Sequence, residues 1–377
     1  KDTNGKTIKE SLWKAYEFGT VRHQGQKRRS GKPYFGDHCL QVANILAKWK
    51  MDHITVMAGL LHDTLEDTDT TLKDLENCFG EDITRLVDGV TKLGNIEFAN
   101  QQEKQAENFM KLLLSVAKDL RVIIIKFADR LHNMQTIEYM SKLKQRQIAR
   151  ETNDIYVPLA HRLGMASVKW ELEDWVLQTL HKKSHLEIDS KLKSTNRQRS
   201  RYINQVISPI KEELKKYQIQ VDIYGRPKSH SSIYRKMIAR GKTFEEIYDL
   251  FAIRIVVEKV EQCYLTLGII HQVYSPIQER FKDFIAMPKS NGYQSIHTTL
   301  IGPRGHMVEI QIRTREMEQT AEIGVAAHWR YKEGKTVSAD LDSNVKWLRE
   351  LVTILQNEFS DPKEFMNLLK IDLFDDE

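Results

Sequence analysis

The sequence predicts a multidomain chain, all-α in its first part and α+β in its second. Apolar residues recur at helical spacing through the first 150 residues, with no convincing strand. Near residue 218 the period changes, and Ile219, Val221 and Ile223 alternate with polar residues as a half-buried strand requires. With 377 residues, 41% hydrophobic and 29% charged, the chain has room for two or three domains of ordinary globular composition. The expected boundaries are an all-α domain at 1–152, a helical connector at 153–200, a mixed-sheet domain at 201–335 and a helical tail at 336–377.

In chain order, residues 11–18 form an amphipathic helix. A basic, Gly-rich stretch follows at 23–34. Its Arg28 and Arg29 can fork onto phosphate or stack on a ring, and a solvated turn fits equally well. Leu40, Val42, Ala43, Leu46 and Ala47 mark the helix after His38, and turn signals fall near Asp69, Gly80 and Gly94. Residues 122–125 look strand-like but run into 126–131 at helical spacing, so a buried helix is expected. In 153–200, Trp170 and Trp175 read as packing anchors, and the basic run from Lys182 to Arg201 reads as a solvated face. Beyond the first strand, 233–239 and 264–274 are helical, while 249–257, 296–301 and 308–313 are strands. Residues 280–283 and 288–293 read as loops, and helices resume to the end.

The net charge of +5 suits anionic ligands such as nucleotides and is too small to argue for direct DNA binding. Cys39, Cys78 and Cys263 form neither a disulfide framework nor a zinc spacing, which predicts a reducing, cytoplasmic setting. No apolar run approaches the roughly 18 residues of a membrane span. The chain opens on Lys1 rather than Met, so a piece of a longer protein is expected.

The densest chemistry lies in Gly59-Leu60-Leu61-His62-Asp63-Thr64-Leu65-Glu66-Asp67-Thr68. Read as one helix, it puts His62 and Glu66 on one face, and likewise Asp63 and Asp67. Alone, a His-Asp pair is often only a cap or a surface feature. A second cluster, Phe127-Ala128-Asp129-Arg130-Leu131-His132-Asn133, adds weight. Two imidazoles and two carboxylates, from His38, His62, Asp63 and Asp129, can hold one divalent ion and leave positions open. Glu66 and Asp67 form a second tier, a base for water and a proton donor to the leaving group. Asn133 and Thr136 follow Asp129 on nearly the same face and can hydrogen-bond a ribose or base edge.

In strand 308–313, Val308, Ile310 and Ile312 point one way and Glu309, Gln311 and Arg313 the other. The polar face either lines a cleft or is merely solvated. Asp249, on a second strand, favours the cleft, since paired carboxylates hold Mg²⁺ against a triphosphate. Arg226, Lys228, Arg280, Lys282 and Lys289 supply the cations that a transferring phosphoryl group needs. Tyr293 offers a ring for base stacking.

The first part resembles the HD-type phosphohydrolases, and in full the hydrolase domain of the RelA/SpoT long alarmone enzymes. The carrying motifs are Arg28-Arg29-Ser30-Gly31-Lys32-Pro33-Tyr34, residues 62–68, 87–93 and 128–134. The second part resembles that family's nucleotidyltransferase-like synthetase domain. It does so through residues 224–228, 232–237, 249–254, 280–283, 288–298, 308–314 and 326–329. The resemblance implies Mn²⁺ on His38, His62, Asp63 and Asp129, with Glu66 and Asp67 in the catalytic step. Arg28, Arg29, Asn133 and Thr136 would surround the nucleotide, and the 3′-pyrophosphate of (p)ppGpp would leave as pyrophosphate. For the second site it implies pyrophosphate transfer from ATP to GDP or GTP, with Mg²⁺ on Asp249 and Glu309. Glu309 or Gln311 would lie near the attacking hydroxyl. Arg226, Lys228 and Ser232 would serve ATP. Lys289, Asn291, Tyr293 and His297 would serve the guanine nucleotide, with Tyr293 stacked on the base. Arg280-Phe281-Lys282-Asp283 is the basic form of the family's guanine-side motif, which goes with bifunctional members.

The chain departs from the family in two places. The family runs Tyr-Ile-x-His-Pro into its first ligand. This chain runs Tyr34-Phe35-Gly36-Asp37-His38-Cys39, one residue longer and without the proline. That predicts a shift of His38 or of the arginine loop, with Asp37 a competing ligand. Ser229-His230-Ser231 stands where His-Ile-Tyr is usual, which predicts a retuned ATP side. The expected function is a bifunctional (p)ppGpp synthetase and hydrolase of the stringent response. The alternatives are a synthetase-only member with an impaired hydrolase site and a non-enzymatic nucleotide sensor. The expected partners are ATP, guanine nucleotides and (p)ppGpp, with ribosome or tRNA contact only through absent C-terminal domains, and no membrane.

Overall fold

The computed structural model describes residues 7–91, 119–226, 228–241, 243–244, 252–289, 291–324 and 326. Asp249, the 87–93 motif beyond Thr91, the 326–329 motif beyond Ala326 and the expected tail at 336–377 lie outside them. Two compact units divide the chain, the second being Gly164–Gly324. The helices expected as a connector fall on both sides of that division. Among the described residues no helix is long and apolar enough to cross a membrane.

The described part of the first unit is helical, as its periodicity predicts. Helices α1 (Ile8–Arg22), α2 (Leu40–Lys48), α3 (His53–Leu61), α4 (Thr64–Asp67), α5 (Leu72–Phe79), α6 (Glu81–Thr91), α7 (Arg121–Gln135), α8 (Lys142–Glu151) and α9 (Val157–Arg162) follow in order. Side chains set several of their ends. Thr7 and Glu10 form a reciprocal cap on α1, Asp52 caps α3, and Thr71 with Asp74 caps α5. Helix α7 contains the Val122-Ile123-Ile124-Ile125 run. Because that run is buried all round, it shows no polar face, hence its strand-like look. Helices α2 and α6 pack on α7, and α3 packs on α1, α2 and α6.

In the second unit a mixed five-stranded sheet has the order β1-β2-β5-β4-β3. The strands are β1 (Asp222–Arg226), β2 (Ala252–Val257), β3 (Lys282–Asp283), β4 (Ile296–Ile301) and β5 (Met307–Thr314). Among the described strands only β2 and β5 run parallel. One face is apolar: Ile253, Ile255, Ile310, Ile312, Ile296 and Leu300 form a single core. That core also takes Val206, Ile210 and Leu214 from helix α11 (Lys182–Lys216) and Ile269 and Ile270 from α13 (Val260–Val273). Helices α10 (Ala166–Leu180), α12 (His230–Arg240) and α14 (Arg315–Ile323) complete the unit. Strand alternation leaves the other face polar.

Helix α1 approaches the residues before α2 so closely that a Cβ on Gly19 would lie 2.2 Å from Phe35 Cε2. Alanine there gains up to about 1 kcal/mol of helix propensity. Overpacking a buried ring costs about 1–3 kcal/mol, and Phe35 is buried. Gly19→Ala should therefore lower stability, read as a lower urea midpoint. An unchanged or raised midpoint would mean that Phe35 moves freely.

Candidate active sites

Helix α3 does not continue through residues 59–68, which corrects the single-helix reading. His62 Nδ1 donates to the Gly59 carbonyl at 2.8 Å, and Thr64 Oγ1 donates to the Leu61 carbonyl at 2.6 Å. These side chains take carbonyls that later backbone N–H groups would need, so the helix stops at Leu61 and restarts at Thr64. His62 and Asp63 occupy the break, and His62 and Glu66 are not stacked turns of one helix.

With its Nδ1 committed, His62 presents Nε2 inward. This nitrogen is buried and has no hydrogen-bond partner. It lies 3.1 Å from Asp63 Oδ1. His38 Nε2 lies 3.3 Å from Asp63 Oδ2 and 3.4 Å from Asp129 Oδ1. One donor atom each of His38, His62 and Asp129 lies within 4.8 Å of the others. Asp63 borders the same space through two different oxygens. Convergent imidazole and carboxylate donors with an orphaned ring nitrogen fit a divalent ion.

The extra residue before His38 does not displace it, contrary to expectation. Phe35–Cys39 is a π-turn, whose wider ring absorbs one additional residue. Asp37 is not a competing ligand. It accepts from Ser30 Oγ at 3.2 Å and pairs with Lys32 at 3.2 Å.

Burial works to raise the Asp129 pKa, but the Lys126 ammonium 3.0 Å away and the adjacent His38 hold it far below the usual carboxylate range. Burial likewise opposes ionisation of Asp63, and His62 and His38 reverse it. Burial disfavours His38 as a cation, yet Asp129 and Asp63 raise it to about 9. His132 moves the other way, to about 4, through burial and the charges of His38 and Arg28. A neutral His132 accepts from His38 Nδ1 at 2.8 Å, which aims His38 Nε2 at the carboxylates. Tyr34 donates to Asp63 Oδ2 at 2.9 Å. Sequence reasoning gave no role to His132, Lys126 or Tyr34. The available signal was proximity, since the first two lie three residues either side of Asp129.

Glu66 and Asp67 are exposed. Desolvation of its carboxyl and the charges of Asp63, Asp67 and Asp129 push Glu66 upward against Lys126. Arg28 donates to Asn133 Oδ1 at 3.0 Å and Thr136 Oγ1 at 3.3 Å, so three expected nucleotide residues meet. Arg29 lines the same cleft of about 200 Å³, beside Arg28, Tyr34, Asp37 and Thr136.

The second site is the polar face of the sheet. Tyr224, Arg254, Gln311, His297 and Lys282 pair in register, one row across all five strands. The neighbouring row is Arg226, Ala252, Glu309 and Thr299. Gln311 Nε2 donates to Glu309 Oε1 at 2.8 Å. Arg313 donates to Gln311 Oε1 at 2.8 Å and to the Tyr293 hydroxyl at 2.9 Å, and that hydroxyl meets His297 Nε2 at 2.7 Å. Burial lowers His297 to about 4, so its ring is neutral near pH 7. Burial opposes the charge on Glu309, but the Gln311 hydrogen bond and the Lys228 and Lys236 ammonium charges hold its pKa below the usual carboxylate value.

Arg226 sits 3.5 Å over the Trp170 ring, so Trp170 does more than pack. Burial, with Arg254 and Arg313 nearby, lowers Arg226 to about 10. Arg254 and Arg313 bury guanidinium nitrogens that lack a hydrogen-bond partner, which adds to the positive charge beneath this face. Alternation alone could have marked Arg254, since it shares a face with Gln311. Lys289 lies over the Phe284 ring, and Asn291 accepts from the Tyr293 backbone N–H at 3.2 Å. Arg280 and Lys282 are exposed at the far edge. Ser229 caps α12 through the Ser232 N–H, and His230 sits between Asp174 and Asp189 at 3.6 and 3.4 Å. Lys228 and Ser232 flank that cap.

The HD domain family matches residues 15–166, and the region found in RelA / SpoT proteins matches residues 225–336. A GTP pyrophosphokinase of Myxococcus xanthus is 46% identical over 97% of this chain and 48% of its own length. A guanosine-3′,5′-bis(diphosphate) 3′-pyrophosphohydrolase of Aquifex aeolicus is 45% identical over 98% of this chain and 52% of its own. The bifunctional (p)ppGpp synthase/hydrolase SpoT of Escherichia coli is 44% identical over 97% and 52%. The chain thus spans about half the length of the curated relatives it matches.

Removing His132 as acceptor leaves the buried His38 Nδ1–H unpaired. Loss of such an outer partner typically costs about 10- to 100-fold in metal affinity. His132→Phe should weaken divalent-ion binding by that factor in a calorimetric titration. Unchanged affinity would show that His38 is aimed by other contacts.

Proposed function

Because this chain is a RelA/SpoT homologue in both of its domains, we propose that it both hydrolyses and synthesises (p)ppGpp. The hydrolase reading is carried by the buried, unpartnered His62 Nε2 converging with His38 and Asp129. His38, His62, Asp63 and Asp129 would hold the ion, and nitrogen donors favour Mn²⁺ over Mg²⁺, which prefers oxygen alone. Such an ion supplies Lewis-acid charge stabilisation at the scissile phosphate. Arg28 and Arg29 bind the anionic substrate, with Asn133 and Thr136 holding Arg28 in place. Asp67 orients and deprotonates the attacking water. Glu66, with its raised affinity for a proton, donates one to the departing 3′-oxygen. Water replaces the ribose oxygen on phosphorus, and the products are GDP or GTP and pyrophosphate.

The synthetase reading rests on the ionised Glu309 in a polar sheet face rich in guanidinium groups. Glu309, together with Asp249, would hold Mg²⁺. Gln311 fixes the Glu309 carboxylate beside the guanine nucleotide's 3′-hydroxyl. That oxygen passes its proton to Glu309 and attacks the β-phosphorus of ATP, the bond from this phosphorus to the α-phosphate's bridging oxygen breaks, and AMP leaves. Arg226, Lys228 and Ser232 serve ATP. Arg280, Lys282, Lys289, Asn291, Tyr293 and His297 serve the guanine nucleotide, and Tyr293 stacks on the base. Cytoplasmic location and ribosome contact through segments beyond this chain belong to the same proposal.

The test incubates the protein with ATP, GDP and Mg²⁺, and separately with ppGpp and Mn²⁺, resolving products by chromatography. Glu66→Gln should cut hydrolysis by about 10²- to 10⁴-fold and spare synthesis, and Glu309→Gln should do the reverse. Tight nucleotide binding without turnover in either reaction would favour a sensing module.

A further inference from the structure

The first pocket contains one donor that the proposed hydrolase does not use, the Cys39 sulfur. Cys39 replaces the proline usual in RelA/SpoT sequences. It is completely buried, and its sulfur lies within 4.8 Å of donor atoms of both His62 and Asp63. The sulfur lies 4.0 Å from His23 Nε2, a weak contact that leaves it available. His62 is itself 0% exposed and brings the unpartnered Nε2 to this group.

The two donor sets share one residue, His62. His38, His62 and Asp129 form the first, and Cys39, His62 and Asp63 form the second. Because His62 Nδ1 is held by Gly59, His62 can serve only one ion at a time through Nε2. The sets differ in character. Two imidazoles and a carboxylate suit borderline and hard ions, whereas a sulfur donor selects softer, thiophilic ones. Asp63, the most solvent-accessible member of the second set, has one oxygen toward His62 and the other toward His38, so it can serve either arrangement.

Resting on the reading of this pocket as a metal centre, we propose that Cys39, His62 and Asp63 form an alternative site for a thiophilic divalent ion such as zinc. Such an ion competes with the hydrolase ion for His62. On binding, the Cys39 thiol releases its proton to solvent and ligates as thiolate, and His62 ligates through its lone pair. No oxidant or reductant is involved. The consequence is a hydrolase centre blocked by zinc-like ions and supported by manganese-like ones.

Co²⁺ reports the difference, because thiolate ligation gives an intense near-ultraviolet charge-transfer band and nitrogen–oxygen ligation does not. The whole chain is titrated with Co²⁺ alone, then back-titrated with Zn²⁺, and Mn²⁺ affinity is measured separately. We expect the band at one equivalent, its loss on adding Zn²⁺, and its absence in Cys39→Ser and Cys39→Ala. Losing a direct ligand should cost Zn²⁺ affinity at least the roughly tenfold typical of losing an outer partner. Mn²⁺ affinity should stay within about twofold in both variants, which also reports an intact pocket. A Co²⁺ complex without the band, or a band that survives both substitutions through Cys78 or Cys263, overturns the proposal and leaves the Mn²⁺ site standing. Failure of both ions to bind overturns the metal centre itself.

Discussion

Two buried carboxylates facing one small volume are the constraint around which the first domain is built. Unit charges about 4 Å apart interact by about 4 kcal/mol at an effective dielectric near 20, so Asp63 and Asp129 cannot stay ionised without cationic compensation. Lys126 supplies one charge at 3.0 Å from Asp129. The remainder falls on the imidazoles, and His38 answers by holding a proton up to about pH 9. A proton and a divalent cation therefore satisfy the same demand. The local backbone follows from it: the break at His62–Asp63 turns both side chains inward, and the π-turn at Phe35–Cys39 brings His38 to meet them.

The second domain has the opposite balance. Its polar sheet face is rich in guanidinium groups, and its fixed carboxylates are largely spent on them. Arg254 bonds Glu318 and Glu322 of α14 at 2.6 Å each, and Arg313 lies 3.4 Å from Glu318. Among the described residues Glu309 is the exception, held by the neutral Gln311 rather than by an arginine. A face of this kind suits phosphates and leaves Glu309 available to a cation or a hydroxyl. The proposed hydrolysis and transfer would thus call on different electrostatics, a cation-hungry pocket in one domain and an anion-hungry face in the other.

Much of this was legible because it is periodic. Alternation in β5 separates Val308, Ile310 and Ile312 from Glu309, Gln311 and Arg313, and the structure keeps that separation. The buried helix α7 was recoverable from the spacing of 122–131, despite composition suggesting a strand. The helix break at His62 was not, because side chains capturing carbonyls three residues earlier leave no mark in apolar periodicity. Nor was His132, whose importance lies in a single 2.8 Å contact with a residue 94 positions away. Trp170 looked like packing because its partner, Arg226, lies in a different element.

The inserted residue before His38 shows why spacing is a poorer guide in one domain than in the other. A helix can take one extra residue by widening a single turn, and the side chains beyond it regain their facing after a local adjustment. His38 therefore reaches Asp63 and Asp129 although the spacing to Tyr34 has changed. A strand has no such freedom, because its side chains alternate with a period of two. One residue added within β5 and not bulged out would send Glu309, Gln311 and Arg313 into the apolar core and bring Val308 and Ile310 to the polar face. Exact spacing is therefore diagnostic for the sheet site, while for the helical pocket the identity of the converging donors carries the information.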